Sequence, residues 1–210
     1  MGYQVRDYVA GDEPSWLRCR VLSFLGASFY DSVLPAKPEV SGVELVAVDG
    51  PVVVGVLDVA VEGDLATIDT VAVHPDHQHR GIGGALLSRA RARAGALGAT
   101  TLDAWTRDDP ATLRWYRAMG FTESDHYVHV IADHYTRADE PARAVAAQHP
   151  GLRLAKAFLH ADLVDEDRLR REFARVHVCR RFAMALGGEF GRRGDDVDHR
   201  AVAQDGDRQR

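Results

Sequence analysis

The spacing of apolar and polar positions changes period several times along the chain, and each change marks an element. Residues 3 to 8 alternate and predict a first strand. Asp12 or Glu13 followed by Pro14 predicts a helix start, and Trp16, Leu17, Val21, Phe24 and Leu25 recur at helical spacing as its core stripe. The stretch GASFYDSVLPAKPEVSG mixes Gly, Pro and Ser with aromatics, which predicts an irregular segment or a short second helix. Val43 to Val48 and Val52 to Val61 are runs rich in β-branched residues separated by Asp49-Gly50, a hairpin signal. Glu62-Gly63-Asp64 turns the chain into a third strand, Leu65 to Val73, on which a period of two places Thr67, Asp69, Val71 and Val73 on one face.

From Gly81 the period becomes helical. Leu86, Ala90, Ala94 and Leu97 are predicted to face inward, Arg89, Arg91 and Arg93 outward, and Gly98 to cap the end. Thr101 to Thr106 is the next strand, so strand, helix and strand form a parallel crossover within an otherwise antiparallel sheet. Asp109 suits an N-cap, Pro110 the first helical position and Gly120 the stop before Phe121. Tyr127 to Ala132 reads as a further strand, and residues 133 to 148 as a charged, alanine-rich linker or short helix. Residues 152–161, 165–176 and 177–186 predict strand, helix and strand, the last being the final strand of the sheet, reached by an insertion. Residues 188–210 carry almost no apolar side chains and are expected to be a disordered tail. The expectation is one domain over 1–187, with a core at 3–132 and an extension at 150–187 that carries the last strand.

Composition narrows the classes. A chain of 210 residues, 46% hydrophobic, can bury one sizeable core. A net charge of -5 implies no general attraction to nucleic acid or to an anionic membrane. Cys19 and Cys179 form no CxxC pair and are expected to be buried thiols. No basic leader or membrane-length apolar run is read, so a soluble, cytoplasmic protein is expected, and Asp7 argues against lipidation at Gly2. His74, His77 and His79 straddle Pro75 and a loop without sharing a face, so no metal site is expected.

The chemistry concentrates in VAVHPDHQHRGIGGALL, residues 71 to 87. Val71, Ala72 and Val73 suit a buried strand end, and Pro75 stops its ladder. Gly81, Gly83 and Gly84 allow backbone to approach a ligand where a helix begins with unpaired N–H groups, an arrangement that attracts phosphate. The loop lacks the Gly-Lys-Ser/Thr of a Walker motif and the spaced glycines of a dinucleotide fingerprint.

The order Gln78-His79-Arg80-Gly81-Ile82-Gly83 after a V-x-V strand end resembles the acetyl-CoA signature of the GNAT (Gcn5-related) N-acetyltransferase family. RDDPATLRWYRAMGF, residues 107 to 121, resembles that family's second signature, with Asp109 where Asn is usual and Thr112 where Ala is usual. The resemblance implies an α+β fold: a mixed, mostly antiparallel sheet flanked by helices, with one central parallel pair that splays to seat a pantetheine arm. It implies that acetyl-CoA is bound by Val71, Ala72, Val73, Gln78, His79, Arg80, Gly81, Ile82, Gly83, Gly84, Asp109 and Tyr116.

Acetyl transfer to a primary amine by direct attack needs the amine's proton removed, through a water, and the departing thiolate protonated. Asp69 is the first choice of base, with Glu44, Asp103 and His129 behind it. Tyr116 is the candidate acid, and the N–H of Val71 or Val73 could hold the carbonyl oxygen. Tyr30, Asp31 and His129 are candidate acceptor contacts. The acceptor is a small-molecule or peptide amine, and the late strands could pair with a second copy. A non-catalytic CoA-binding or sensing module, and transfer of a longer acyl group, are the alternatives.

Overall fold

The computed structural model describes residues 2–145, 151 and 154–186, so the predicted tail lies outside the described residues. Strand β1 (Gln4–Asp7) leads to helix α1 (Glu13–Phe24), opened by Pro14 in its first turn, and to a non-helical loop over 26–41. Strands β2 (Gly42–Asp49), β3 (Val52–Glu62) and β4 (Leu65–Val73) then run antiparallel, turned by Gly50 at φ 59° and Gly63 at φ 63°, a conformation that suits glycine. Helix α2 (Ile82–Ala96) and strand β5 (Thr101–Arg107) make the crossover, and helix α3 (Pro110–Ala118) precedes strand β6 (Thr122–Asp133). The extension contributes α4 (Glu140–Arg143), strand β7 (Lys156–Ala161), α5 (Glu166–Glu172) and strand β8 (Val176–Ala185).

All eight strands join one sheet in the order β1-β2-β3-β4-β5-β8-β6-β7. Among the described residues, only β4 with β5 is parallel. The last strand of the sequence does enter the sheet through an insertion, filling the place between β5 and β6, while β7 takes the edge. One face is covered by α2 and α3, over Leu45, Leu57, Ile68, Leu86, Leu102 and Phe182. The other is covered by α1, where Trp16 and Cys19 pack against Val46, Val56 and Ala72. Two predicted core positions are instead exposed, Leu25 just after α1 and Leu97 just after α2, each the residue that caps its helix. Arg20 is buried on α1 in their stead. The arginines of α2 are less idle than a solvated face suggests: Arg89 donates to the Val5 carbonyl at 2.8 Å and Arg93 pairs with Asp7 at 2.6 Å, tying α2 to β1. Among the described residues no helix is long and apolar enough to cross a membrane, and no cluster suits a metal ion.

Candidate acyl-transfer site

The parallel pair holds together over only four positions, Leu65–Thr101 to Ile68–Ala104. Beyond them β4 continues to Val73 and β5 to Arg107 without pairing to each other, which opens the sheet at its centre. The cause lies on β4. Its register with β3 slips between Asp58–Thr70 and Val59–Ile68, so Asp69 is an extra residue, a β-bulge. The bulge also corrects the expected facing. Ala66 and Ile68 pack toward α2, and past the bulge Val71 and Val73 do so, while Ala72 packs toward α1. Thr67, Asp69, Val71 and Val73 therefore do not share a face, because an inserted residue inverts the alternation downstream of it.

At the end of β4 the chain turns into α2. Gln78 Nε2 donates to the Val73 carbonyl at 3.2 Å and Arg80 to the Asp76 carbonyl at 3.1 Å, folding the loop back on the strand. His79 adopts φ 61° and Gly81 φ 79°, both left-handed. Bonding within α2 begins with Ala85 N–H to Gly81 O at 3.0 Å. The amides of Ile82, Gly83 and Gly84 thus open the helix with no carbonyl inside it to bond, and its positive end lies beside the opened sheet. Two of the glycines also meet constraints of the fold itself. Gly81 is needed for its backbone conformation, whereas a Cβ on Gly83 would come within 3.2 Å of Trp115 Nε1, so that position serves the packing of α2 on α3.

Helix α3 is fixed by Asp109, whose side chain accepts from Thr112 N–H at 2.9 Å and from Thr112 Oγ1–H at 3.0 Å. This accounts for both departures from the commoner signature: the pair caps the helix locally. Tyr116 is buried between Phe182, stacked at 5.2 Å, and Phe121, edge-on at 5.2 Å. Burial, with Asp103 adding to it, raises the phenol's pKa well above its ordinary value, so the hydroxyl stays protonated.

The α1 face of the opening carries two walls of opposite charge. On the β3–β4 side Asp58 is 1% exposed, directly opposite Glu44 on β2 and Thr70 on β4. Burial pushes its carboxyl up to about 7; Lys37 opposes this while Glu44 and Asp69 add to it. Lys37, from the 26–41 loop, reaches over Tyr8 at 4.6 Å and ion-pairs with Glu44 and, at 3.6 Å, with Asp58. Asp58 Oδ1 is buried without a hydrogen-bond partner. Sequence reasoning missed this residue, since an Asp inside an apolar strand gave no sign that the fold would bury it beside the bulge. Asp69 is exposed at the bulge and close enough to act on Asp58. Glu44 is committed to Lys37, and Asp103 to Thr67 Oγ1 at 2.7 Å and Arg181.

On the β5–β6 side, Arg107 is 9% exposed and donates to the Ser28 carbonyl. His129 pairs in register with His177 on β8 and His160 on β7, and its Nε2 lies 3.0 Å from the Tyr127 hydroxyl. Burial, reinforced by His160 and Arg107, lowers its pKa to about 3, so the ring is neutral. Asp31 pairs with Arg175 at 3.2 Å and Lys156 at 3.3 Å, and Arg175 lies over the Tyr30 ring at 4.8 Å. The structure thus makes Tyr30 and Asp31 the latch of the 26–41 loop onto the extension. Of the expected residues, Asp69 and the 71–84 segment adjoin the opening, while Tyr30, Asp31 and His129 gather on its far wall.

Residues 41–123 match the model of the acetyltransferase (GNAT) domain. A comparison with curated proteins finds no match. Among solved structures, the chain is similar to the ribosomal-protein-S18-alanine N-acetyltransferase of Escherichia coli, at 16% identity and a TM-score of 0.54, covering 90% of this chain and 97% of that one. It is similar to the PaiA N-acetyltransferase of Thermoplasma acidophilum in complex with coenzyme A, at 14% identity and a TM-score of 0.52, covering 60% of this chain and 92% of that one. It is also similar to a GNAT family acetyltransferase of Elizabethkingia anophelis with acetyl-CoA bound, at 17% identity and a TM-score of 0.50, covering 87% and 97% respectively. These likenesses agree with the mixed sheet and its single parallel pair. Residues 41–123, which hold the bulged strand, the glycine-headed helix and the Tyr116 helix, thus carry the match to the acetyltransferase (GNAT) domain.

Proposed function

We infer that this acetyltransferase moves an acetyl group from acetyl-CoA to a primary amine held on the α1 face of the opened sheet. The observation that carries the reading is the coincidence of the β4 bulge at Asp69, the loss of β4–β5 pairing beyond Ile68, and the unbonded amides that start α2. Acetyl-CoA supplies the activated acyl thioester. The amides of Ile82, Gly83 and Gly84 would hold its diphosphate, with Gln78, His79 and Arg80 around them, and the open edge of residues 71–73 its pantetheine arm. Two of the solved relatives were captured with coenzyme A or acetyl-CoA, which supports this use of the loop.

The chain's own groups divide the proton work. An alkylamine arrives protonated at neutral pH and must lose a proton before its nitrogen bonds to the acyl carbon. Asp69 and Asp58 are the proposed acceptors, and a carboxyl poised near 7 suits the task better than an ordinary one. As the carbon–sulfur bond breaks, Tyr116 is the proposed donor to the leaving sulfur; its raised pKa makes hydrogen bonding to the thiolate its main contribution. The same reading places the enzyme in the cytoplasm, and a second copy, if one pairs, would meet the free edge of β7.

The test is thiol release from acetyl-CoA, and from longer acyl-CoAs, against a panel of primary amines. Acetyl transfer to at least one amine supports the reading. Tight coenzyme A binding with no transfer to any amine replaces it with a sensing module.

A further inference from the structure

The guanidinium of Arg107 is buried with no carboxylate in direct contact among the described residues, Asp31 acting on its charge only through space. Among the described residues it makes no ion pair: one terminal nitrogen donates to the Ser28 carbonyl, the plane lies 4.4 Å over the Phe29 ring, and Nε has no partner. The loop's own acid, Asp31, is already committed to Arg175 and Lys156. Around Arg107 two further buried polar atoms lack partners, Ser28 Oγ on the loop it holds and Nδ1 of the neutral His129. A guanidinium remains charged at any working pH, and leaving it buried without a directly bonded anion is costly. Such a charge fits a site whose anion arrives with a ligand.

The position of Arg107 says which ligand. It stands on the last residue of β5, beyond the end of β4–β5 pairing, on the face opposite Leu102 and Ala104 and so on the α1 side of the sheet. Across the opening, on the same side, stand Asp58 and the bulged Asp69. One wall therefore offers the Asp58 carboxyl with an unmet hydrogen-bonding oxygen, and the other a guanidinium with an unmet N–H. A simple amine would satisfy the first and leave the second buried and unpaired. We propose that the acceptor is an amino acid, its carboxylate held by Arg107 through the unpartnered Nε side of the fork while its amine faces Asp58 and Asp69. Bidentate hydrogen bonding of a carboxylate is what the planar fork does best, and Lys could not reproduce it.

This proposal rests on the amine-acetylation reading, and the experiment separates the two. The twenty common L-amino acids and their carboxamides are compared as acceptors, and as ligands of the coenzyme A complex by calorimetry. The wild type should prefer an acid to its amide by about 10–100-fold, the worth of a hydrogen-bonded charge pair. In Arg107→Gln that ratio should collapse toward one, whereas a loop merely loosened by the loss of Arg107 would weaken both ligands alike. Equal use and equal binding of acid and amide by the wild type overturns the proposal, as does a preference that survives Arg107→Gln. Should no amine be acetylated, the amine-transfer reading fails while the binding preference still decides the role of Arg107.

Discussion

The indole of Trp115 crowds the space where a side chain on Gly83 would begin, with Nε1 3.2 Å from a Cβ built there. Gly83 therefore joins the proposed cofactor end of α2 to the helix that carries Tyr116. The Gly83→Asp variant should lose stability by about 1–3 kcal/mol through overpacking. It should also lose coenzyme A affinity by about tenfold or more, because a carboxylate sits at an anion site. Gly84→Ala is the control, since its Cβ meets only Met119 Sδ at 3.8 Å. Calorimetry and thermal melts on the two variants check this; unchanged coenzyme A binding in Gly83→Asp removes α2 from the site.

The same contact shows what the sequence made legible and what it did not. Elements came through wherever one residue's backbone preference settled a turn, as with Gly50, Gly63 and the Asp109-Pro110 start of α3. The glycine loop was legible for the same reason, while the packing of Gly83 against Trp115 had no sign in the sequence. What stayed hidden depends on register. The bulge at Asp69 follows from how β4 meets β3, and it inverted the facing that simple alternation predicts for Val71 and Val73. Asp58 and Arg107 looked like ordinary strand residues until the sheet and the 26–41 loop buried them. Burial of a charge is a tertiary fact with no local signature.

Asp31 is predicted to order the acceptor loop without touching the donor site. Although burial works against its charge, Arg175 and Lys156 outweigh it and hold the carboxyl below its ordinary pKa. Asp31→Asn should raise the acceptor KM and speed proteolytic cutting within residues 26–41, with the acetyl-CoA KM unchanged. Because both pairs are partly exposed, the cost in global stability should stay within about 1 kcal/mol. A parallel loss of acetyl-CoA affinity would mean that the latch supports the whole site.

Tyr116 separates packing from chemistry with one atom. The ring is held by Phe182 and Phe121 through aromatic contacts that phenylalanine reproduces. Tyr116→Phe should therefore fold with an unchanged melting temperature to within a few degrees and bind acetyl-CoA normally, while kcat falls by about 100-fold or more, as for loss of a general acid. Rapid-mixing measurement of thiol release gives the decisive number, and full activity would take the hydroxyl out of the reaction.

Asp58 ties stability and activity to the same proton. Its pKa in the folded chain is about 7, above the ordinary carboxyl value of 3.8, so the folded state holds the proton more tightly than the unfolded state does. Between those two values the unfolded chain ionises first and stability falls as pH rises; above about 7 the penalty is fully present. Replacing the carboxyl by an amide removes that dependence. The melting temperature of Asp58→Asn relative to wild type should therefore climb from pH 5 to pH 8. Activity should move the opposite way: the wild type's kcat/KM should rise through an apparent pKa near 7, and the variant should lose both that limb and about 100-fold of its rate, the worth of a general base. A variant that shows the stability trend but keeps the wild-type pH–rate limb would assign proton removal to Asp69 alone. Loss of the limb in Asp58→Asn but not in Asp69→Asn would make Asp58 the base.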